Sequence, residues 1–331
     1  MRIGLFLTPQ YPRGANLSRA TTDVLEQVRA ARANGFSSVL VGQHMVTGPD
    51  MQMLQLVPLM ARLIPETEGM QIGAGVMLLP MLSPVLVAEE GATLDWMSNG
   101  NYVLACGLGY RHEEFEAMGT RRSHRVPRLE ESLDVVKRLW TEERITHHGA
   151  HFHLTNVGAS VRPKQRPRPP IWLGGDVEPA IRRAGRLADA WLGSPTSTVA
   201  QLQSQMSWFH ESFRASGRGK PGPCPVIREC FVGRDMARAK SVSRGPLLYK
   251  YEAYASWGHN DSTKAPLAER FDEFCEDRFL IGDVSHVRDE IRRIGETVNT
   301  DHLVLRLQWP GLAHQEVLGS IERLGQVLSG L

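Results

Sequence analysis

NYVLACGLGYRHEEF, residues 101–115, is the stretch on which the fold turns. Its apolar run leads into Gly107-Leu108-Gly109, and a Gly-x-Gly placed after a strand invites a dinucleotide-binding reading. That fingerprint needs a third glycine three residues on, so that a helix can pack against the strand, and it normally opens the first βαβ unit. Here position 112 is His112, and three strand–helix units already precede the motif. The glycines therefore serve another architecture, and the repeat around them identifies it.

Outward from this strand, short apolar runs alternate with segments of helical period, the pattern of successive β–α units and a parallel sheet. Strands are predicted at 2–8, 37–43, 71–79, 101–109, 171–176, 189–194, 225–233 and 301–308. In TTDVLEQVRAARANGF, Val24, Leu25, Val28 and Ala31 recur at helical spacing and Gly35 supplies the stop; SPVLVAEEGATLDWMSNG ends at Gly100 in the same way. Eight units in 331 residues predict an α/β fold, a (β/α)8 TIM barrel, as a single domain over 1–331 with insertions at the C-terminal mouth. The first insertion, about 145–170, alternates in HFHL and ends rich in proline, so it reads as a hairpin excursion. The second, about 234–280, is too long for one connection and reads as a cap over the mouth.

Composition narrows the partners. The formal net charge is +2, which leaves no electrostatic footprint for nucleic acid or an anionic membrane. The basic runs RRSHR (121–125) and RPKQRPRPP lack an aromatic stacking platform and read as solvated loops. Cys106, Cys224, Cys230 and Cys275 show no C-x-x-C spacing, which predicts free thiols in a reducing cytoplasm. MRIGLFLTPQ enters a strand without a signal-peptide pattern, and no segment approaches 18 apolar residues, so a soluble cytoplasmic protein acting on a small molecule is expected.

In such a barrel chemistry sits at the C-terminal ends of the strands. Those ends are poor in acids. Asp176 alone falls among them, against the two facing carboxylates of a glycosidase. His44 stands by itself, against a metal hydrolase, and no metal is expected. The four histidines of HHGAHFH (147–153) lie on the predicted hairpin, away from any pocket. GGDVEPAIRRA is different: Gly174 and Gly175 end a strand, and the amides through Asp176 and Val177 open a helix, an ordinary place for a phosphate.

Four segments in succession, GVMLLPMLSPVLVAEEGATLDWMSNGNYVLACGLGYRHEEFEAMG, PRLEESLDVVKRLW, RPPIWLGGDVEPAIRRAGRLADAWL and DHLVLRLQWPG, resemble the bacterial luciferase-like family of flavin-dependent oxidoreductases. The resemblance implies a flavin at the barrel mouth and a homodimer. It matches His44, in VGQHM, to the family's active-site histidine; the family motif often reads Glu-His-His, whereas this chain has Gln43-His44-Met45 and loses the flanking acid. It matches Gly75 and Val76, in AGVML, to the segment that bends under the isoalloxazine ring, often through a cis peptide not preceding proline. Cys106 and Gly109 would sit beside the flavin, with Arg125 or Arg128 reaching its phosphate. Arg306 would orient an anionic or carbonyl group of the substrate, or else form a rim salt bridge.

The activity implied is a monooxygenase that uses reduced FMN and O2 through a flavin hydroperoxide. Its reduced flavin would come from a separate flavin reductase, since nothing here resembles an NAD(P)H-binding domain. Two alternatives stand beside it. One is a hydride-transfer oxidoreductase using the deazaflavin coenzyme F420, served by a basic rim at 121, 122, 125 and 128; the other is a non-catalytic flavin-binding protein. A homodimer is further suggested by DMQMLQLVPLMARLI (50–64), apolar on more faces than a solvent-covered barrel helix needs.

Overall fold

The computed structural model describes residues 1–48, 51–258 and 266–331. Nine strands form one parallel sheet: β1 (Arg2–Leu7), β2 (Ser38–Val41), β3 (Gln71–Ala74), β4 (Tyr102–Cys106), β5 (Ile171–Gly174), β6 (Ala190–Leu192), β7 (Val226–Val232), β8 (Leu280–Gly282) and β9 (His302–Arg306). The strand order is β6-β5-β4-β3-β2-β1-β9-β7-β8. β2, β4, β7 and β9 are buried at every residue, because helices cover the sheet and leave no solvated face; hence their unbroken apolar runs.

The helices are α1 (Leu17–Ala33), α2 (Leu56–Thr67), α3 (Pro84–Met97), α4 (His112–Ala117), α5 (Arg125–Thr141), α6 (Glu178–Leu187), α7 (Val199–Ala215), α8 (Met236–Ser256), α9 (Phe271–Cys275), α10 (Val284–Val298) and α11 (His314–Leu328). Their starts are chemically marked. Asn16 caps α1, Ser83 α3 and Asp235 α8, while Thr198 and Gln201 form a reciprocal capping box on α7. Close packing also explains Gly91 inside α3. A Cβ there would lie 2.8 Å from the Trp140 ring, whose Nε1 donates to the Ala88 carbonyl at 2.9 Å.

All eight predicted strands are present, in a curled parallel sheet that has nine strands rather than the expected eight. The ninth is β8, which begins where the predicted second insertion ends and pairs with Cys230–Val232 of β7, while Val226–Glu229 of β7 pair with β9. The curl brings β6 to β7 at one parallel bridge, Gly193 to Val226. There the Gly193 N–H donates to Pro225 at 2.9 Å and the Ile227 N–H donates back to Gly193 at 3.0 Å.

Other expectations are corrected in detail. The third strand stops at Ala74, not residue 79: the Gly75–Val76 bond is cis and the chain then enters a 3-10 turn, Leu79–Met81. The fourth stops at Cys106, leaving Gly107–Gly109 as loop. Met51–Met53 is a strand paired antiparallel with Gln10–Pro12, and α2 begins only at Leu56; Asp50 lies outside the described residues. α2 already buries Leu56, Leu59, Met60, Leu63 and Ile64 in this chain's own core, so the surplus apolar face expected of it is not there.

The first insertion is the expected hairpin, Ile145–His148 against His153–Val157. It packs along α5, where Glu131 accepts the His151 and Phe152 N–H groups and the His147 ring nitrogen. The second insertion comprises α8, a 3-10 turn at Leu267–Arg270 and α9, with 259–265 outside the described residues. The end of α8 brings Tyr251 and Tyr254 over the strand ends. Cys106, Cys224, Cys230 and Cys275 are free thiols. Among the described residues no helix is long and apolar enough to cross a membrane.

Candidate active site

A cavity of about 340 Å³ lies at the C-terminal ends of the strands, within the size range of small-molecule sites. Phe6, Val76, Leu78, Leu108, Leu192 and Ile227 give it apolar walls, and Thr8, His44, Arg125, Asp176 and Arg306 supply polar atoms. Of the residues singled out in the sequence, His44, Gly75, Val76, Gly109, Gly174, Gly175, Asp176, Val177 and Arg306 all line this space. Cys106 does not. It is fully buried one residue short of the lining, and burial pushes its thiol far above the ordinary range, so it serves as wall.

The glycines of the opening motif now have a physical role. A Cβ on Gly107 would lie 2.5 Å from the Val76 side chain, one on Gly174 3.0 Å from it, and one on Gly75 2.6 Å from the Phe6 ring. Three strand ends thus close around Val76 as an apolar ledge that any larger residue would push apart. Gly109 has φ +74°, a left-handed turn, with space for a Cβ already taken by Met81.

The turn into α6 has its carbonyls tied back. Trp191 Nε1 donates to the Gly175 carbonyl and Gln205 Nε2 to the Asp176 carbonyl, each at 2.8 Å. In a planar trans peptide the N–H points opposite to the preceding carbonyl, so the amides of Asp176 and Val177 are turned away from these anchors. Val177, at the N-cap, offers no side-chain acceptor to the first-turn amides, and the positive end of the helix is left for an anion. Arg125 lines the same cavity. Arg128 does not reach it: its Nε donates to the Pro80 carbonyl at 2.8 Å and its guanidinium stacks on Phe152.

His44 is held from one side. Its Nδ1 lies 3.0 Å from Oε1 of Glu114, a fully buried acid on α4 that also accepts the Met45 N–H at 2.9 Å and neighbours Arg111. With Nδ1–H given to the carboxylate, Nε2 is the nitrogen left for chemistry. Tyr110, Tyr254 and Trp257 place their rings 5.4–5.7 Å from the imidazole. Gln43, beside it, is structural: its Oε1 accepts the Leu78 N–H at 2.8 Å.

A second buried charge cluster stands behind the cavity-lining Arg306 and Tyr251. Glu229 of β7 accepts from Arg306 Nη1 at 2.8 Å, from the Tyr251 hydroxyl at 2.8 Å, from Trp309 Nε1 at 2.5 Å, and from Lys250. Burial acts to raise the Glu229 carboxyl, but Arg306 and Lys250 outweigh it and hold the group ionised.

The sequence profile of luciferase-like monooxygenases matches residues 1–300. The chain belongs to this family. A 4-hydroxyprotoasukamycin monooxygenase of Streptomyces nodosus subsp. asukaensis is 27% identical over 316 residues, covering 88% of this chain and 82% of its own. Two solved structures share the fold. One is the oxygenating constituent of 3,6-diketocamphane monooxygenase from Pseudomonas putida in complex with FMN, at 19% identity and TM-score 0.80 over 100% of this chain and 98% of that one. The other is an F420-dependent secondary alcohol dehydrogenase in complex with an F420-acetone adduct, at 20% identity and TM-score 0.81 over 98% and 97%.

In this member of the luciferase-like family, sequence reasoning missed the two acids that back the cavity wall. Glu229 carried a usable signal, since VIRECFV places two charges, Arg228 and Glu229, inside an otherwise apolar strand, where each must find partners. Glu114 carried none, because nothing in RHEEF distinguishes it from the exposed Glu113 beside it. The acid lost from position 43 thus has a counterpart contributed by a different strand–helix unit.

Proposed function

We propose that the protein is a flavin-dependent monooxygenase that uses reduced FMN and O2 to oxidise a small organic substrate. The observation that carries this reading is one cavity holding three features together: the Asp176 and Val177 amides at a helix N-terminus, the glycine-walled ledge at Val76, and His44 backed by Glu114. These residues fit an FMN. The amides and Arg125 would hold its phosphate, and the ledge over the cis Gly75–Val76 bond would support its ring system. Reduced flavin bound there would supply the electrons that let one atom of O2 pass to the substrate and the other leave as water.

This chain's own residues do the rest. His44 Nε2 holds or delivers a proton, and the apolar walls with Tyr251 and Tyr254 above them exclude water. The reading takes the curled sheet as a (β/α)8 barrel closed at Gly193–Val226. It places the protein in the cytoplasm as a homodimer that takes reduced flavin from a separate reductase.

A second reading, hydride transfer with F420, is supported by Arg121 and Arg122, which lie exposed just before cavity-lining Arg125 and could meet an anionic coenzyme tail. Anaerobic titration of the protein with reduced FMN and with reduced F420 separates the two. Tight binding of F420 alone, or no oxygenated product from a substrate panel after O2 is admitted to the FMN complex, would reject the monooxygenase. A purely flavin-binding protein would have no use for the buried His44–Glu114 pair at the cavity wall.

A further inference from the structure

The wall formed by β1, β9 and the residues that follow β1 holds buried hydrogen-bond donors that no described residue satisfies. Arg306 of β9 is 94% buried, lines the cavity and donates to Glu229 through Nη1, while its Nε has no partner among the described residues. Thr8, two positions beyond Phe6, is 96% buried and also lines the cavity; its hydroxyl has no partner. Gln10 is completely buried behind them. Its Oε1 accepts from the Tyr254 hydroxyl at 3.1 Å, and its Nε2 has no partner. Phe6 and Arg306 are directly paired in the sheet, and the guanidinium lies 4.3 Å over the Phe6 ring, which leaves its edge to make hydrogen bonds.

Charge on this wall is unequal as well as unpaired. Two cations, Arg306 and Lys250, share the single carboxylate of Glu229, which already takes four donors. Lys250 is lowered to about 7 by burial and by Arg306, against the pull of Glu229. A neutral carbonyl or a water satisfies one donor, whereas an ionised oxygen group offers several lone pairs and makes the stronger, charge-assisted bonds to donors left without partners among the described residues.

We infer that this wall is a substrate subsite for an ionised oxygen group, a carboxylate, phenolate or enolate, held by Arg306 and Thr8. The inference rests on the monooxygenase reading only in taking the cavity as shared by flavin and substrate. It restricts the substrate to organic acids and their vinylogues.

The test uses matched probes, benzoate against benzamide and hexanoate against hexanamide, titrated calorimetrically into the protein alone and into its FMN complex. Each carboxylate should bind roughly ten-fold or more tightly than its amide, the range for a charge-assisted hydrogen bond in a buried site. Arg306→Met should bring that ratio close to one, Arg306→Lys should keep part of it, and Thr8→Val should reduce it a few-fold. Arg306→Met leaves Glu229 and Lys250 as a balanced pair, and its thermal melt should report an intact fold. Equal binding of acid and amide by the parent protein overturns the inference. So does an Arg306→Met variant that keeps the preference and loses FMN affinity, because the free donors would then belong to the flavin's own carbonyl edge. If neither flavin binds the parent protein, the proposed function falls, while the ratio measured on the protein alone still decides the subsite.

Discussion

His44 owes its orientation to Glu114, which no local pattern connects to it. His44→Ala should leave folding and FMN affinity nearly intact and lower product formation by about 100-fold or more, the usual loss for a general acid–base group. Oxygen consumption should continue as peroxide release, so an oxygen electrode read beside product formation separates lost coupling from lost binding. Glu114→Gln keeps the shape but can present an NH2 to Nδ1 and so favour the other tautomer; it should cost roughly ten-fold in coupled turnover with little change in FMN affinity. Unchanged coupling in both variants would remove His44 from the chemistry.

A different histidine at the same scale governs stability. His302 is fully buried beside the Ser38 hydroxyl at 2.8 Å, and burial, with Arg2 adding to it, lowers its pKa from 6.5 to about 3. The folded chain keeps it neutral while the unfolded chain protonates it. Its contribution is therefore complete above pH 6.5 and is lost as pH falls toward 3. Through this window it should steepen the decline of stability by up to about 1.4 kcal/mol per pH unit. Urea melts of His302→Gln at several pH values across it should show a shallower decline than the parent.

Among the elements, the start of α6 carries the sharpest expectation. A Cβ at Gly175 would lie 2.7 Å from the Ala180 side chain, so Gly175→Val must displace the turn from its helix. FMN affinity should fall roughly ten-fold or more, the scale of hydrogen bonds to a charged group, while riboflavin, which has no phosphate, should bind as before. Equal losses for both ligands would show a general collapse of the cavity and remove the phosphate assignment. Element types and their order were legible because every predicted strand is an apolar run buried between helices. Their ends were less so. β3 and β4 stop early at Gly75 and Gly107, where apolar residues continue the run but the backbone turns to form the cavity. β8, Leu280–Gly282, escaped notice because its short apolar run falls at the end of the stretch read as the second insertion.

For the whole molecule, among the described residues α3 carries three large apolar side chains about half exposed, Leu86, Trp96 and Met97, whereas α2 carries none. Apolar surface of this kind, where it is contiguous, marks an interaction face. Sedimentation at micromolar concentration should show a homodimer, and Met97→Glu should shift it to monomer without lowering FMN affinity. A monomeric parent protein would end the dimer proposal.

By itself the sequence determined the alternation of strands and helices and the glycine-rich strand ends that line the cavity. Each of these follows from local hydrophobic period and from glycines whose missing side chains leave room. Only the tertiary structure decided which charges meet: Glu114 with His44, and Glu229 with Arg306 and Lys250. These pairs join separate strand–helix units, and an acid's burial depends on what the curled sheet brings against it rather than on its neighbours in the chain. The same physics left Arg306 with an unspent donor at the cavity wall, a fact of packing that the run LRLQWPG does not contain.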